Sequence, residues 1–382
     1  MRSVLSSGTW LLLNQKQKLK SLIKRRVQTL NLSFFLRELM MPESYFISQR
    51  QYAPARKQSS DAASIRIFNE HLYSILPEDG HPLAEAASHH FSTKGKQLRA
   101  KIALDAGDAF AADILPSLHW ASAVELLHNA SLIHDDMCDG DSIRRNKASV
   151  WAKYGRDIAL ALGDWMIAES FEQAAIAARI SGSFNLVSKL ATHVKSTIAG
   201  QALEFDNATY PDIDKYLKIS AGKTAPLFVA AIDGIAEISG RTDLIDPIGH
   251  YFAAMGVCYQ FANDIQNIIG TDGAASPSSD LKRRAPNAVI VYFRSSLETQ
   301  ERVLFDNWLA GKSQHKANHW QQKMIESGAI IKAADEMNKL LTKAEGYSGT
   351  LPSECSVVIA PIQSQLRHVC AQIGAACPKE IS

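Results

Sequence analysis

The chain has 382 residues, of which 46% are hydrophobic and 21% charged, with a formal net charge of +2 at pH 7. This composition is that of an ordinary globular protein, and its length suits one large domain with appendages as well as two domains. The small net charge gives no reason to expect a nucleic-acid partner. The five cysteines are scattered, without a Cys-x-x-Cys pair, which argues against a zinc site and a disulfide framework.

The N-terminal stretch 1–58 is predicted to be a basic extension. Its first 37 residues contain many Lys and Arg but no acid. Such a segment is typical of a transit peptide, of a disordered basic tail, or of an extension before a start at Met40 or Met41. We expect a cytoplasmic protein, or a mitochondrial one if residues 1–40 are a transit peptide. No early apolar run approaches the roughly 20 residues of a transmembrane helix, and none is expected.

From Ser59 onward, helix-forming residues dominate and alternating β-type runs are scarce. Apolar residues recur at helical spacing over 120–133, 159–177 and 215–238. The sequence therefore predicts an all-α domain over 59–346. Residues 347–382 mix Ser, Pro and Cys and predict a tail or peripheral helices.

An acidic cluster of Asp135, Asp136 and Asp139 stands at the end of an apolar helical stretch. Asp135 and Asp139 are four residues apart, so a helix places them on one face. Neighbouring carboxylates repel each other, and Mg²⁺ relieves that repulsion while taking further ligands from substrate phosphates. The alternative is a solvated acidic helix end, which the apolar approach 130–133 disfavours. The cluster therefore predicts a magnesium site.

Cations flank this cluster in the sequence. Arg144 and Arg145 follow it, and upstream Gly95 precedes Lys96 and Arg99. Arginine is suited to bidentate phosphate binding, but such pairs are also common in surface ion pairs. Spacing alone leaves both interpretations open.

The order of these segments resembles the trans-isoprenyl diphosphate synthases. That family carries GKxxR, HDDxxD, RR, GQxxD, KTA and FQxxDDxxD in succession. The corresponding segments here are 95–99, 134–139, 144–145, 200–204, 223–225 and 259–267. The resemblance implies an isoprenoid synthase bundle (class I terpenoid synthase fold) around a deep central cavity, a Mg²⁺ cofactor and a homodimer.

The resemblance also implies roles for the matching residues around the allylic diphosphate. Asp135 and Asp139 would ligate Mg²⁺ that bridges this substrate, with Asp136 supporting them. Arg144 would hold the allylic diphosphate, and Lys223 would reach the departing diphosphate.

A second group of matching residues would serve isopentenyl diphosphate, the other substrate. Its members are Lys96, Arg99, His128 and Arg145. Thr224 and Gln260 would line the path between the reacting carbons.

The second acidic motif departs from the family pattern, because Asn263-Asp264-Ile-Gln-Asn267 replaces DDxxD. Asn263 and Asp264 remain candidates for weak metal ligation. Asn263, Asn267 and Thr271 resemble, imperfectly, the N-S-E metal triad of class I terpene synthases. A further stretch, 280–287, resembles the family's DLREGKPT.

In that stretch, Ala285 stands where a phosphate-binding lysine is expected. Lys282, Arg283 and Arg284 are candidates to replace it.

Because the second motif departs from the family pattern, three functions remain possible. The chain elongates isoprenyl diphosphates, or it is a synthase-derived cyclase or a prenyltransferase to another acceptor, or it is a non-catalytic subunit of a heteromeric synthase. The complete isopentenyl diphosphate set favours elongation, and the intact first motif disfavours the third function. Ala130 stands five positions before Asp135, where short-chain synthases often carry an aromatic residue. We therefore expect a product of C20 or longer.

Overall fold

The structure is a computed structural model that describes residues 61–93, 95–205, 209–271, 278–313 and 316–376. The chain divides into two units between Ser59 and Ser60, and the described residues all belong to the second. The predicted basic extension 1–58, including the possible transit peptide, lies outside the described residues.

Helices form nearly all of the described secondary structure. In chain order they are α1 (Asp61–Ser74), α2 (Ala84–Phe91), α3 (Leu98–Ala109), α4 (Ile114–Asp139), α5 (Val150–Tyr154), α6 (Arg156–Ser181), α7 (Leu186–Phe205), α8 (Ile213–Ile238), α9 (Ile245–Ile269), α10 (Ser279–Arg283), α11 (Ala288–Ser296), α12 (Thr299–Leu309), α13 (Ala317–Glu326), α14 (Ala329–Ser348) and α15 (Ser356–Ala376). Two 3₁₀ turns, Thr242–Leu244 and Ser353–Cys355, precede α9 and α15. The predicted all-α class is confirmed.

Helix α8 is central to the bundle and contacts α3, α4, α7 and α9. Among the described helices, it is the one long and apolar enough to cross a membrane, with a mean hydropathy of 1.2. However, 67% of that apolar window is buried inside the protein, as expected of a core helix. Its hydropathy therefore reflects packing on several sides.

Two close helix contacts fix α8 beside its neighbours. A Cβ on Gly200 of α7 would lie 2.2 Å from the carbonyl carbon of Gly222, so the α7 and α8 backbones touch here. A Cβ on Gly256 of α9 would lie 2.9 Å from Cα of Ala225. Lys223 and Thr224 lie between these two contacts in the sequence, so glycines position the part of α8 that carries predicted site residues.

A two-stranded hairpin interrupts the helices after α4. Strand β1 (Ile143–Arg144) pairs antiparallel with β2 (Lys147–Ala148). Both turn residues, Arg145 and Asn146, adopt left-handed backbone with φ of 50° and 62°, as a two-residue hairpin turn requires. The turn contains no glycine, so the sequence does not strongly predict this hairpin.

The C-terminal region is more integrated than a peripheral tail. The predicted boundary at 346 falls inside α14, and α15 packs against α3, α9 and α14. Val358, Ile362 and Leu366 are each about 1% exposed. Their spacing of four residues places them on one apolar face, which joins α15 to the core.

Candidate active site

The acidic cluster lies on the last turns of α4, which ends at Asp139. Gly140 caps this helix with a φ of 72°, a left-handed conformation that favours glycine. Burial raises the pKa of the Asp135 carboxyl, the positive charge of Lys223 opposes that rise, and the charge of Asp139 adds to it. Asp135, Asp139 and Asp141, with the cations that face them, are called the acidic lobe below.

Lys223 brings a cation from α8 to the acidic lobe. Its Nζ donates to Oε2 of Glu204 on α7 at 2.8 Å. Burial works against the charge on Lys223, but the carboxylates of Asp135 and Glu204 prevail and raise its pKa. The charged form of Lys223 is therefore favoured beside Asp135.

Arg283 brings a second cation from α10. Its Nη1 lies 2.9 Å from Oδ2 of Asp139 and 3.2 Å from Oδ2 of Asp141. Its Nη2 lies 2.8 Å from Oδ1 of Asp280. The guanidinium thus joins the first motif to the segment that follows the second.

The hairpin separates the two consecutive arginines that the sequence places together. Arg144 turns back to Asp136, with Nε 2.7 Å from both carboxylate oxygens. Arg145 has a different partner, and its Nη1 donates to the carbonyl of Thr93 at 3.1 Å. Asp136 therefore orients Arg144, which agrees with a supporting role for this aspartate.

Arg145 explains the glycine of the upstream GKxxR segment. A Cβ on Gly95 would lie 2.4 Å from Nη2 of Arg145. A side chain at this position would displace the guanidinium. Gly95 thus makes room for a cation and is part of the site for a steric reason.

Arg145 belongs to a second group of cations, called the basic lobe below, with Lys96, Arg99 and His128. The guanidinium of Arg99 lies 4.5 Å from the centroid of the Phe228 ring, and its buried Nε has no hydrogen-bond partner among the described residues. Burial, followed by the charges of Arg99 and Arg145, lowers the pKa of His128 well below its usual value. Lys96 is exposed, with Nζ 5.9 Å from the Tyr259 ring centroid.

A hydrogen-bonded chain connects α8 to α9 beside the two lobes. The hydroxyl of Thr224 donates to Oε1 of Gln260 at 3.1 Å, and Nε2 of Gln260 donates to Oδ1 of Asp264 at 2.7 Å. The predicted pair Thr224 and Gln260 is therefore brought together, and Asp264 fixes the orientation of the Gln260 amide.

Asp264 was predicted as a weak metal ligand, and its surroundings in the structure do not favour that role. The carboxylate is 2% exposed, and Oδ2 accepts from the Tyr216 hydroxyl at 2.5 Å and from the Ala288 N–H at 2.7 Å. Because Gln260 donates to Oδ1, both carboxylate oxygens accept hydrogen bonds from buried protein groups. Burial, followed by the charge of Asp280, raises the pKa of Asp264 to about 8.

The two asparagines of the second motif have different surroundings. Asn263 is exposed, so its metal role stays a prediction. Asn267 is buried, and its Nδ2 donates to Oγ of Ser279 at 2.7 Å while its Oδ1 accepts from the Asp280 N–H at 3.2 Å. Thr271 is exposed beyond the end of α9. The resemblance to a terpene-synthase triad is therefore not supported by these positions.

Two polar groups of the site escape prediction from the sequence. Nε2 of His90 pairs with Oδ1 of Asn129 at 2.9 Å, and burial lowers the pKa of His90 to about 4. Glu125 is 4% exposed and accepts from the Ala100 N–H at 3.2 Å. A lone carboxylate in the apolar run 120–133 was a usable signal for Glu125, because a buried charge needs partners. His90 lies outside any motif and gives no such signal.

The donor set of the acidic lobe fits a hard cation. Its candidate ligands are carboxylate oxygens, and Asp135 is a desolvated carboxylate beside a like charge. Within the described ranges, no group of three or more His, Cys, Asp or Glu side chains is arranged to hold a metal ion. Mg²⁺ commonly takes one or two protein carboxylates and completes its shell with water and substrate phosphates, so these residues fit such an ion.

Comparison with known proteins identifies the class. The family model described as polyprenyl synthetase matches residues 81–326. The chain therefore belongs to the polyprenyl synthetase family and is a trans-prenyltransferase, which confirms the resemblance found in the motifs.

Individual relatives agree with this assignment. The geranylgeranyl diphosphate synthase of Saccharolobus solfataricus is 29% identical over 274 residues, covering 68% of this chain and 82% of that protein. The (2E,6E)-farnesyl diphosphate synthase of Mycobacterium bovis is 31% identical over 181 residues, covering 46% and 50%. These relatives support prenyl chain elongation.

A solved structure supports the fold. The polyprenyl synthase of Caulobacter crescentus, in complex with calcium and isoprenyl diphosphate, superposes with a TM-score of 0.72 at 21% identity and covers 85% of this chain and 97% of that chain. At this identity the likeness concerns the fold, and the predicted isoprenoid synthase bundle is confirmed.

Proposed function

We propose that this enzyme condenses an allylic diphosphate with isopentenyl diphosphate, with Mg²⁺ as cofactor and a product of C20 or longer. One observation carries the proposal: Arg144 pairs with Asp136, the neighbour of Asp135 in the acidic lobe, whereas Arg145 lies against Gly95, at the start of the segment that carries Lys96 and Arg99 of the basic lobe. One lobe suits a diphosphate that brings a metal, and the other suits a diphosphate bound by cations alone. Two adjacent diphosphate sites suit a condensation of two diphosphates.

The acidic lobe would hold the allylic substrate. Asp135 and Asp139 would ligate Mg²⁺, which supplies charge neutralisation for the leaving diphosphate. Lys223 and Arg144 would add hydrogen bonds to the same oxygens, where negative charge develops as the allylic C–O bond breaks. The Caulobacter relative, whose structure contains calcium and isoprenyl diphosphate, supports a cation and a diphosphate together.

The basic lobe would hold isopentenyl diphosphate. Its unpartnered Arg99 Nε is a buried donor that an oxyanion can satisfy, because an unpaired buried donor costs about 1–3 kcal/mol. The double bond of this substrate then attacks the allylic carbocation, a new C–C bond forms, and a proton leaves. The released pyrophosphate is the acceptor that the family resemblance suggests. Thr224 and Gln260 would line the path between the carbons.

In the deciding experiment, the enzyme is incubated with Mg²⁺ and a C5, C10, C15 or C20 allylic diphosphate, each with and without isopentenyl diphosphate. The products are then identified by mass spectrometry. We expect products that require isopentenyl diphosphate and are longer by C5 units. Hydrocarbon or alcohol released from an allylic diphosphate alone would instead identify a cyclase. Activity that depends on a second protein would identify a subunit of a heteromeric synthase.

The substitution Lys96→Ala tests the basic lobe within the same assay. We expect a strong increase in the KM for isopentenyl diphosphate and little change in the KM for the allylic substrate, because Lys96 belongs to the cation-only site. An equal change in both values would contradict the division into two lobes.

We also propose a homodimer in the cytoplasm, with mitochondria as the alternative compartment. The dimer is supported by Ile198 and Phe205, which lie seven residues apart on α7 and are 61% and 54% exposed. Ile198→Asp should convert a dimer to a monomer in light scattering. A fluorescent fusion with and without residues 1–40 would test the compartment.

A further inference from the structure

We propose that Arg283 is an internal counterion of the acidic lobe, which pairs with Asp139 and Asp141 in the substrate-free protein and transfers to the diphosphate when metal and substrate bind together. The inference rests on the proposed function and deepens it, since it assigns a regulator of metal binding at the same site.

The structure distinguishes Arg283 from its two cationic neighbours. Its guanidinium contacts Asp139, Asp141 and Asp280 at 2.8–3.2 Å. Lys282 is exposed. Arg284 lies 5.2 Å from the centroid of the Trp308 ring, away from these carboxylates. Of three consecutive cations, Arg283 is therefore the one that reaches the lobe.

The second motif holds Arg283 in place. Asn267 fixes the start of α10 through Ser279 and Asp280, and the Asp280 carboxylate then pairs with Arg283 at 2.8 Å and with Nδ2 of Asn287 at 2.9 Å. An ionised aspartate at 267 would accept from Ser279 rather than donate to it, and it would add a negative charge beside Asp280, the residue that holds Arg283. The asparagine that interrupts the family motif thus helps to position a cation that the resembling DLREGKPT stretch does not have there.

In its observed position, Arg283 competes with a free metal ion for the Asp139 carboxylate. A metal ion at Asp139 would meet a guanidinium whose Nη1 is 2.9 Å from the same carboxylate, so like charges would repel. A diphosphate offers oxygens that accept bidentate hydrogen bonds from arginine. The buried Nε of Arg283 has no hydrogen-bond partner in the described part of the chain, which leaves a donor for such an oxygen.

Transfer of Arg283 therefore couples the two ligands. Diphosphate removes the guanidinium from Asp139 and makes the carboxylate available, and metal at the carboxylate releases the guanidinium for diphosphate. By linkage, each ligand raises the affinity for the other by the same factor. Free Mg²⁺ binds weakly, and Mg²⁺ with diphosphate binds strongly.

The test compares Arg283→Gln with Lys282→Gln in the full chain. Both remove one positive charge from α10, so long-range effects are matched. Calorimetry measures Mg²⁺ binding alone and in the presence of inorganic pyrophosphate, and needs no turnover. Arg283→Gln should bind Mg²⁺ alone more tightly, by about fivefold or more, and should show a smaller enhancement by pyrophosphate than Lys282→Gln does. Lys282→Gln should behave as the wild type.

Circular dichroism checks that each variant is folded. The variant Arg283→Lys keeps the positive charge, so it should again bind Mg²⁺ weakly in the absence of pyrophosphate. If Arg283→Gln matches Lys282→Gln in both titrations, the counterion role is wrong while the proposed condensation stands. If the wild type binds Mg²⁺ alone as tightly as with pyrophosphate, the coupling is also refuted. Failure of the product assay with intact coupling would refute the proposed function alone.

Discussion

Helices α4 and α9 end in the same way but carry different chemistry. Both are capped by a left-handed glycine, Gly140 with a φ of 72° and Gly270 with a φ of 77°. Helix α4 carries the carboxyl groups of Asp135 and Asp139 in the acidic lobe. Helix α9 carries Asn263 at an exposed position and uses Asn267 to fix α10. The two helix ends have the same backbone conformation, so their side chains account for the difference: the end of α4 carries the candidate metal ligands, and the end of α9 supports α10.

The largest effect should follow from Asp135→Ala, which removes a carboxylate from α4. We expect turnover to fall by about 10³-fold or more, or roughly 4 kcal/mol of transition-state stabilisation. The thermal midpoint should change little, because Asp135 is a desolvated group beside Asp139 and Lys223 keeps its pairing with Glu204. Steady-state kinetics and calorimetric melting measure both. Asp157→Ala, at an exposed position on α6, is the control, and retained activity in Asp135→Ala would refute the metal site.

On α9 we expect the opposite pattern, with stability affected first. Asp264→Ala would leave donors of Tyr216, Gln260 and Ala288 without their acceptor. Each unsatisfied donor costs about 1–3 kcal/mol, so the free energy of unfolding should fall by at least about 3 kcal/mol. Urea denaturation measures it. Asn263→Ala, at the exposed neighbouring position, should change stability by less than about 0.5 kcal/mol. Similar losses in the two variants would contradict the assignment of Asp264 to the interior.

The raised pKa of Asp264 predicts a pH dependence of stability. Its folded-state pKa of about 8 lies above the usual value of about 3.9 for an aspartate, so the folded protein binds the proton more strongly than the unfolded chain. This contribution is fully present below about pH 4 and is lost as the pH rises through about 8. The difference in unfolding free energy between wild type and Asp264→Asn should therefore shrink over this range. A pH-independent difference would show that Asp264 does not titrate there.

A gain of function on α9 is expected from Asn263→Asp, because a carboxylate brings a full charge to a hard cation. The concentration of Mg²⁺ that gives half-maximal activity should fall several-fold. Asn267→Ala is the contrasting variant, since it removes the hydrogen bonds to Ser279 and to the Asp280 N–H and should destabilise the protein instead. An unchanged Mg²⁺ dependence in Asn263→Asp would mean that Asn263 does not lie near the metal.

The smallest change in total turnover is expected from Ala130→Phe, on the stretch of α4 that leads to the first motif. Ala130 is buried, and the family resemblance implies that the growing chain passes this position, so an aromatic ring here should block its path. The product should be shorter by one or more C5 units, as measured by mass spectrometry. Ala130→Ser, which adds little volume, should leave the product unchanged. An unchanged product with Ala130→Phe would mean that other residues, such as Trp165 or Phe171, limit chain length.

The sequence determined the helical class, the order of the motifs and the shared face of Asp135 and Asp139. These features depend on local periodicity and on spacing along one helix, which composition and pattern record directly. Glu125 shows what such patterns do not predict. A lone acid in an apolar run indicates that the carboxylate has a partner, but it does not identify Arg99 or Ala100 as that partner.

Only the tertiary structure decided where the polar side chains point. Arg144 and Arg145 are adjacent in the sequence, yet in a hairpin with two left-handed residues they have different partners, Asp136 and the carbonyl of Thr93. Arg283 reaches the acidic lobe while Lys282 and Arg284 do not, because Asn267 sets the start of α10 from another helix. These outcomes depend on contacts between residues far apart in the chain, and the spacing of residues along one segment does not determine them.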